Sequence, residues 1–479
     1  LDVFIAGAVV AGMSFALQSG LRSGQARPAN QPRPTLPTLA DLSPDPSAER
    51  PNIVLICIDT LRADHLSLYG YARPTTPRLD RFARDARIFT RAYATTPFTT
   101  PSVVSMLTGL YPYRHGVRVL WQPVGDNVVT LPEWLHRADY ATAAVVSNLV
   151  LGDEACGLAS RFDHYDDAVD EPEPNRPAMR ERRAERTTDT ALAWLANRPD
   201  PQQPYFLWVH YIDPHGPYRP PVIGDPPFTH SGRVEPDPER IAPYVWDASV
   251  TDALDYVDRY DEEIRYTDRE VGRLIAAIEQ ATPDRATAII LTADHGEFLL
   301  DHPQFAFCHG YGVEEAVTHV PLVVRHPEFA PGGVERPVSI ADIAPTILNL
   351  AGVRGSAPFD GFDLRDVADR PPPYCEGPDP TGSGGLERAL QGETYGLVVR
   401  HGLSGVVRET WRQRPGQPRE ALPPTAGDPL FAPLRAVMQS DTGFATRRRA
   451  AEANPDNPLI ADDLPAETLE KLRGLGYVD

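Results

Sequence analysis

Residues 51–59 read PNIVLICID: an almost unbroken apolar run from Asn52 to Ile58, closed by an aspartate. A strand with one wet face alternates apolar and polar residues, so a run of this kind belongs to a strand buried on both sides. That is the condition of a parallel sheet covered by helices. Runs of the same character recur at 141–148 (ATAAVVSN), 205–212 (YFLWVHYI), 286–297 (ATAIILTADHGE) and 320–327 (VPLVVRHP). Helical patterns lie between them. In residues 260–280 the apolar Ile264, Val271, Leu274 and Ile275 recur at helical spacing, and residues 340–353 read as a helix ended by Gly352. Strand and helix in alternation predict an α/β fold, a three-layer α/β/α sandwich around a mostly parallel central sheet.

The chain of 479 residues has room for one large domain and an appendage. Residues 1–23 contain an apolar run, Val3 to Leu17, short for a membrane span and near the length of a signal segment. Arg22, Arg27 and Arg33 follow it. Export to the periplasm or exterior, or anchoring to a membrane, is the expectation. Residues 24–50 are proline-rich and read as a linker. The main domain is expected over 51–354, and a smaller C-terminal α+β unit with its tail over 355–479. The polar, proline-broken stretches 166–186 and 216–250 read as loops over a site.

A net charge of −20 argues against a nucleic-acid partner. Lys471 is the only lysine, so arginine carries nearly all positive charge. Cys57, Cys156, Cys308 and Cys375 have no metal-ligand spacing.

In an open parallel sheet, ligands gather beyond the carboxyl ends of the strands. Asp59 ends one apolar run and Asp294-His295 ends another, so two strands deliver acids and an imidazole to one edge. That donor set suits a single divalent cation, Mn²⁺, Zn²⁺, Mg²⁺ or Ca²⁺. The stretch PFTTPSVVSMLTGLYP, residues 97–112, adds a hydroxyl. Pro101 fits a first helical turn, which Thr100 or Ser102 can cap. Thr99 would then stand at the positive end of that helix, where an anionic ester docks. Beside a metal its hydroxyl could serve as a nucleophile; without one, capping is the commoner role for a threonine here.

Together with PNIVLICIDTLRADHLSLYGY, the segments TTPSVVSMLTGLYPYRHGV, YIDPHGPY, LTADHGE, HGYGVEEAVTHVPLVV and DIAPTILNLAGV occur in an order that resembles the sulfatase family of the alkaline phosphatase superfamily, over roughly residues 50–355. The tail LEKLRGLGYVD is similar to those of bacterial members. The resemblance implies an alkaline-phosphatase-like fold and a metal-dependent hydrolase of sulfate or phosphate-type esters. It implies Asp59, Thr99, Asp294 and His295 as metal ligands, Thr99 at the nucleophile position of the C/S-x-P-S-R motif, and His215 and His309 as contacts to the substrate anion. Expected substrates are small anionic esters or sulfated or phosphorylated glycans or lipids.

Four departures bear on the chemistry. Threonine cannot become the formylglycine that sulfatases make from the motif's cysteine or serine. The motif arginine is Val103, a second metal-binding acid is replaced by Thr60, and the family's lysine–histidine segment corresponds to the region of Ser147 and Asn148. Superfamily members with threonine at this position cleave phosphodiesters or transfer phospholipid head groups. The expectation is therefore a threonine nucleophile acting on a phosphodiester or phosphonate. A membrane-associated head-group transferase and a non-catalytic sulfatase-like binding protein are the alternatives. Asp213-Pro214-His215 lacks the D-x-x-x-H spacing of two-metal relatives, so one metal is expected unless Asp213, His215 and His309 converge.

Overall fold

Every residue of β1 (Asn52–Ile58) is buried, as its apolar run requires. In the computed structural model the described residues are 36–441, apart from 174, 178, 223–225, 282–284, 381–384, 402–406, 418 and 422–427. The apolar run 3–17, Arg22, Arg27, Arg33 and the tail beyond 441 lie outside the described residues. Among the described residues, no helix is long and apolar enough to cross a membrane.

Around β1 stand β2 (Arg87–Tyr93), β3 (Ala141–Val145), β4 (His164–Asp166), β5 (Tyr205–Tyr211), β6 (Thr287–Ala293), β7 (His319–Arg325), β8 (Gly332–Val334) and β9 (Val338–Ser339). Their order is β8-β2-β7-β6-β1-β5-β3-β4, with β9 also on β2. All pairings are parallel except those of β7, which runs antiparallel to both β6 and β2. The chain leaves β6, loops beyond the sheet edge, and re-enters as β7 from that same edge without a crossover, so β7 must run backwards. Strand β2 has no unbroken apolar run because Arg87 and Arg91 interrupt it, and it is only partly buried.

Among the helices that flank this sheet are α1 (Thr99–Thr108), α2 (Leu131–Arg137), α3 (Ala184–Ala196), α4 (Leu254–Ala281) and α5 (Ile343–Leu350). Helix α3 packs along α4, and α1 packs with α2 and α5. The result is a mixed, mostly parallel α/β sheet with helices. Helix α4 is longer than the 260–280 pattern suggested. Gly352 follows α5 in the left-handed conformation, a role that suits a residue without a side chain.

Strand register decides which side chains share a face. Cys57 lies opposite His210 on one side and Thr292 on the other, all in parallel pairs. Residues two apart on a strand point the same way. Asp59 and Asp294, two positions beyond Cys57 and Thr292, therefore rise from that same face. On the opposite face the Tyr211 hydroxyl meets Thr188 of α3 at 2.7 Å.

The segment after α5 runs back over the main sheet's helices, with Phe359 edge-on to Trp134 and Asp360 accepting from the Tyr111 amide at 2.9 Å. It then enters an antiparallel sheet of β10 (Tyr374–Pro378), β11 (Leu386–Gln391), β12 (Gly396–His401), β13 (Val407–Gln413) and β14 (Glu420–Ala421), followed by α6 (Phe431–Ser440). Buried Arg118, from the segment between α1 and α2, pairs with Asp441 at 2.8 Å, and Arg388 of β11 binds the same carboxylate. At the edge of this sheet the backbone of β10 lies directly on the loop after β6: the Gly312 amide donates to Pro378 O at 2.9 Å. A Cβ on Gly377 would lie 2.1 Å from Gly312 O. Gly377→Ala should therefore lower unfolding stability by about 1–3 kcal/mol, read from denaturant melts.

Candidate active site

The loops beyond β1, β5 and β6 and the start of α1 meet over the carboxyl edge of the sheet. Asp59, Asp294 and His295 are fully buried there, and Thr99 is nearly so. His295 Nδ1 donates to Gly296 O at 2.9 Å, which leaves Nε2 as the lone-pair nitrogen. That nitrogen lies 3.7 Å from Asp59 Oδ1, 3.6 Å from Asp294 Oδ2 and 3.2 Å from the Thr99 hydroxyl. The structure thus brings together Asp59, Thr99, Asp294 and His295, which the sequence places on three separate segments.

Helix α1 reaches this position through tertiary bonds. Neither Thr100 nor Ser102 caps it, contrary to the sequence expectation, and the N-cap residue is Phe98. The Thr100 hydroxyl donates to Val150 O at 3.1 Å and the Ser102 hydroxyl to Asp294 O at 2.5 Å. Both hydroxyls face neighbouring segments because α1 is wholly buried, so its start is pinned to the sheet edge. Thr99 is the first helical residue, beside N–H groups that have no acceptor within the helix.

The two carboxylates are under electrostatic load. Burial, with Asp294 beside it, pushes the Asp59 carboxyl well above the usual range. Burial would raise Asp294 as well, but His295 and His210 hold it down at about 2. Asn148 donates to Asp59 Oδ2 at 2.7 Å, while Asp59 Oδ1 and Asp294 Oδ2 are buried without a hydrogen-bond partner. Ligand atoms of Asp59, Asp294 and His295 lie within 4.8 Å of one another. Two orphaned carboxylate oxygens facing an imidazole lone pair fit a divalent cation. Thr60, where the family has an acid, gives its backbone amide to Asp294 Oδ1 at 3.4 Å.

A cavity of about 380 Å³ opens over this group, lined among others by Phe98, Thr99, Arg176, His215, Tyr244 and His309. His309 Nδ1 pairs with Glu297 at 3.1 Å, and its ring lies 4.5 Å from His295 and 5.0 Å from His215. His215 donates from Nδ1 to Gly216 O at 2.6 Å. Burial holds both imidazoles well below their ordinary range and so neutral, with His309 and Arg176 adding to the effect on His215 and His295 to that on His309. Burial pushes Glu297 up to about 8. Asp213 does not converge with the two histidines: it accepts from the Ala184 amide at 2.8 Å and faces Arg183.

Four residues of this neighbourhood escaped the sequence reading. Arg176, from the 166–186 stretch, lies 4.0 Å over the Tyr244 ring and is gripped by Glu173 at 2.9 and 3.1 Å. Asn175 ties the same loop to Tyr244 O and Trp246 O at 2.8 and 3.1 Å. Asn148, noted only as a missing lysine, holds Asp59. His210 is fully buried with neither ring nitrogen hydrogen-bonded. The one signal for it was a polar side chain inside the apolar run YFLWVHYI.

The Sulfatase family model matches residues 51–353. The chain belongs to the sulfatase family. One relative is the uncharacterized sulfatase YidJ of Escherichia coli strain K12, 23% identical over 360 residues that cover 67% of this chain and 71% of YidJ. The fold is shared with BT4656, solved with its substrate D-glucosamine-2-N,6-O-disulfate: TM-score 0.64, 19% identity, covering 82% of this chain and 98% of that one. It is shared too with a phosphonate monoester hydrolase from Silicibacter pomeroyi: TM-score 0.58, 23% identity, covering 85% and 96%. The protein is thus a sulfatase-family hydrolase acting on ester bonds, with the alkaline-phosphatase-like α/β fold. Removing the amide that donates to Asp59 Oδ2 by Asn148→Ala should destabilise the metal-free protein by about 1–3 kcal/mol, measured by denaturant titration.

Proposed function

We propose that this protein is a metal-dependent hydrolase of phosphate-type esters, phosphodiesters or phosphonates, with Thr99 as its nucleophile. The observation that carries this reading is the Thr99 hydroxyl, 3.2 Å from His295 Nε2 and beside two unpartnered carboxylate oxygens. Asp59, Asp294, His295 and the Thr99 oxygen would hold one divalent cation, which supplies Lewis acidity and offsets anionic charge.

The residues themselves account for the rest. Helix α1 presents Thr99 and first-turn N–H groups to an anionic ester. The Thr99 oxygen attacks phosphorus as the bond to the leaving alkoxide breaks, giving a phosphoryl-threonine. Water then attacks the same phosphorus, and the Thr99 oxygen leaves. The Thr99 proton passes to the lone-pair Nε2 of His215, whose Nδ1 proton is engaged by Gly216 O, and from there to the leaving oxygen. In the second step the same nitrogen takes a proton from water and returns it to the Thr99 oxygen, while His309, held through Nδ1 by Glu297, contacts the substrate anion. Arg176 supplies the positive charge that neither Val103 nor the region of Ser147 and Asn148 offers, and Glu173 and Tyr244 preorganise it.

A second reading is a sulfate ester of a glycan, favoured by the sulfated sugar bound to BT4656. Against it stands Thr99, which cannot form the hydrated aldehyde. A panel of aryl phosphodiester, phosphonate and sulfate substrates separates the two: turnover of the phosphorus esters is expected, and turnover of sulfate alone would refute the threonine mechanism. Thr99→Ala should lower kcat by about 10³-fold or more while the melting temperature stays unchanged. Arg176→Ala should raise KM for a phosphodiester by about 10- to 100-fold, with a smaller effect on kcat.

A further inference from the structure

Among the described residues, His210 is the one imidazole on the carboxylate-bearing face of the sheet for which the chemistry above has no use. It stands on β5, the neighbour of β1 on the side away from β6, in register with Cys57. It is fully buried, and neither Nδ1 nor Nε2 has a hydrogen-bond partner. Buried polar groups are nearly always satisfied, and two unsatisfied nitrogens on one ring are costly. The ring is not turned towards an apolar pocket. Its Nε2 lies 3.8 Å from Asp59 Oδ2 and 3.9 Å from Asp294 Oδ2. These gaps are too long for direct hydrogen bonds. They match the separations of His295 Nε2 from the same two carboxylates, 3.7 and 3.6 Å. Donor atoms that share one ion at bond lengths of about 2.0–2.2 Å stand roughly 3–4 Å apart.

We propose that His210 is a further protein ligand of the cation held by Asp59, Asp294 and His295, taking up the coordination that Thr60 does not provide. Three adjacent strands, β6, β1 and β5, then each contribute to one ion from one face of the sheet. The site gains a second imidazole, and two imidazoles with two carboxylates favour Mn²⁺ or Zn²⁺ over the oxygen-seeking Ca²⁺ and Mg²⁺. The assignment rests on the cation site of the proposed function. Cys57 is the rival partner, since its sulfur, a His210 nitrogen and an Asp294 oxygen also lie within 4.8 Å of one another.

The test is calorimetric titration of the metal-stripped full chain with Mn²⁺ and Zn²⁺, for the wild type, His210→Leu and Cys57→Ala. For His210→Leu the affinity should fall by more than about 100-fold, beyond the effect of an outer-sphere partner. Cys57→Ala should bind as the wild type does. The metal-free melting temperature of His210→Leu should be unchanged or higher, because an unsatisfied buried ring has been replaced by an apolar side chain. Its rise on adding metal should be lost. A smaller fall in affinity, or an equal loss in Cys57→Ala, overturns the assignment of His210 while leaving the cation site standing. A wild type that binds neither metal removes the site itself, and with it the role of His210.

Discussion

Two carboxylates buried side by side, with the imidazoles of His295 and His210 less than 4 Å from both, set the terms for everything around them. Carboxylates out of water are tolerable only where positive charge or donors meet them. Asn148 and the Thr60 amide meet one oxygen of each residue, and the remaining two oxygens face inward without protein donors. The local design follows from that deficit. Helix α1 is pinned by Ser102 to the backbone of Asp294, which brings Thr99 within reach of the same space. The sheet supplies the acids from neighbouring parallel strands, so their spacing is set by strand pairing and not by flexible loops.

The sequence was most informative where one physical rule acted alone. Five doubly buried strands announced themselves because helices cover both faces of the sheet. The acids and His295 could be placed because strand ends in such a sheet share one edge. Strand β2 stayed hidden, as its arginines interrupt the run and only part of it is buried. The cap of α1 was misread because hydroxyls near a helix start serve local caps by default, and only the tertiary structure offers Val150 O and Asp294 O as better acceptors.

Arg176, Asn148 and His210 could not be read for a different reason. Each depends on contacts between segments far apart in the chain. Arg176 is oriented by Glu173 nearby and by Tyr244, which comes from the other polar insertion. The two insertions are stitched together by Asn175. A wall of the cavity is therefore made by stretches whose composition revealed only that they were loops. His210 looked like an ordinary strand residue until register set it beside Cys57, on the face that carries Asp59.

The close approach of β10 to the loop after β6 has a consequence for how this chain can vary. Backbone rests on backbone at Gly312 and Gly377, with no side chain to cushion a shift. Three residues upstream on the same loop is His309. Relatives that swapped one C-terminal sheet for another would have to reproduce that glycine-to-glycine seam, or the imidazole's position would drift. A proteolytic cut ahead of Tyr374 could likewise spare the nine-stranded scaffold and still undo the alignment of its mouth.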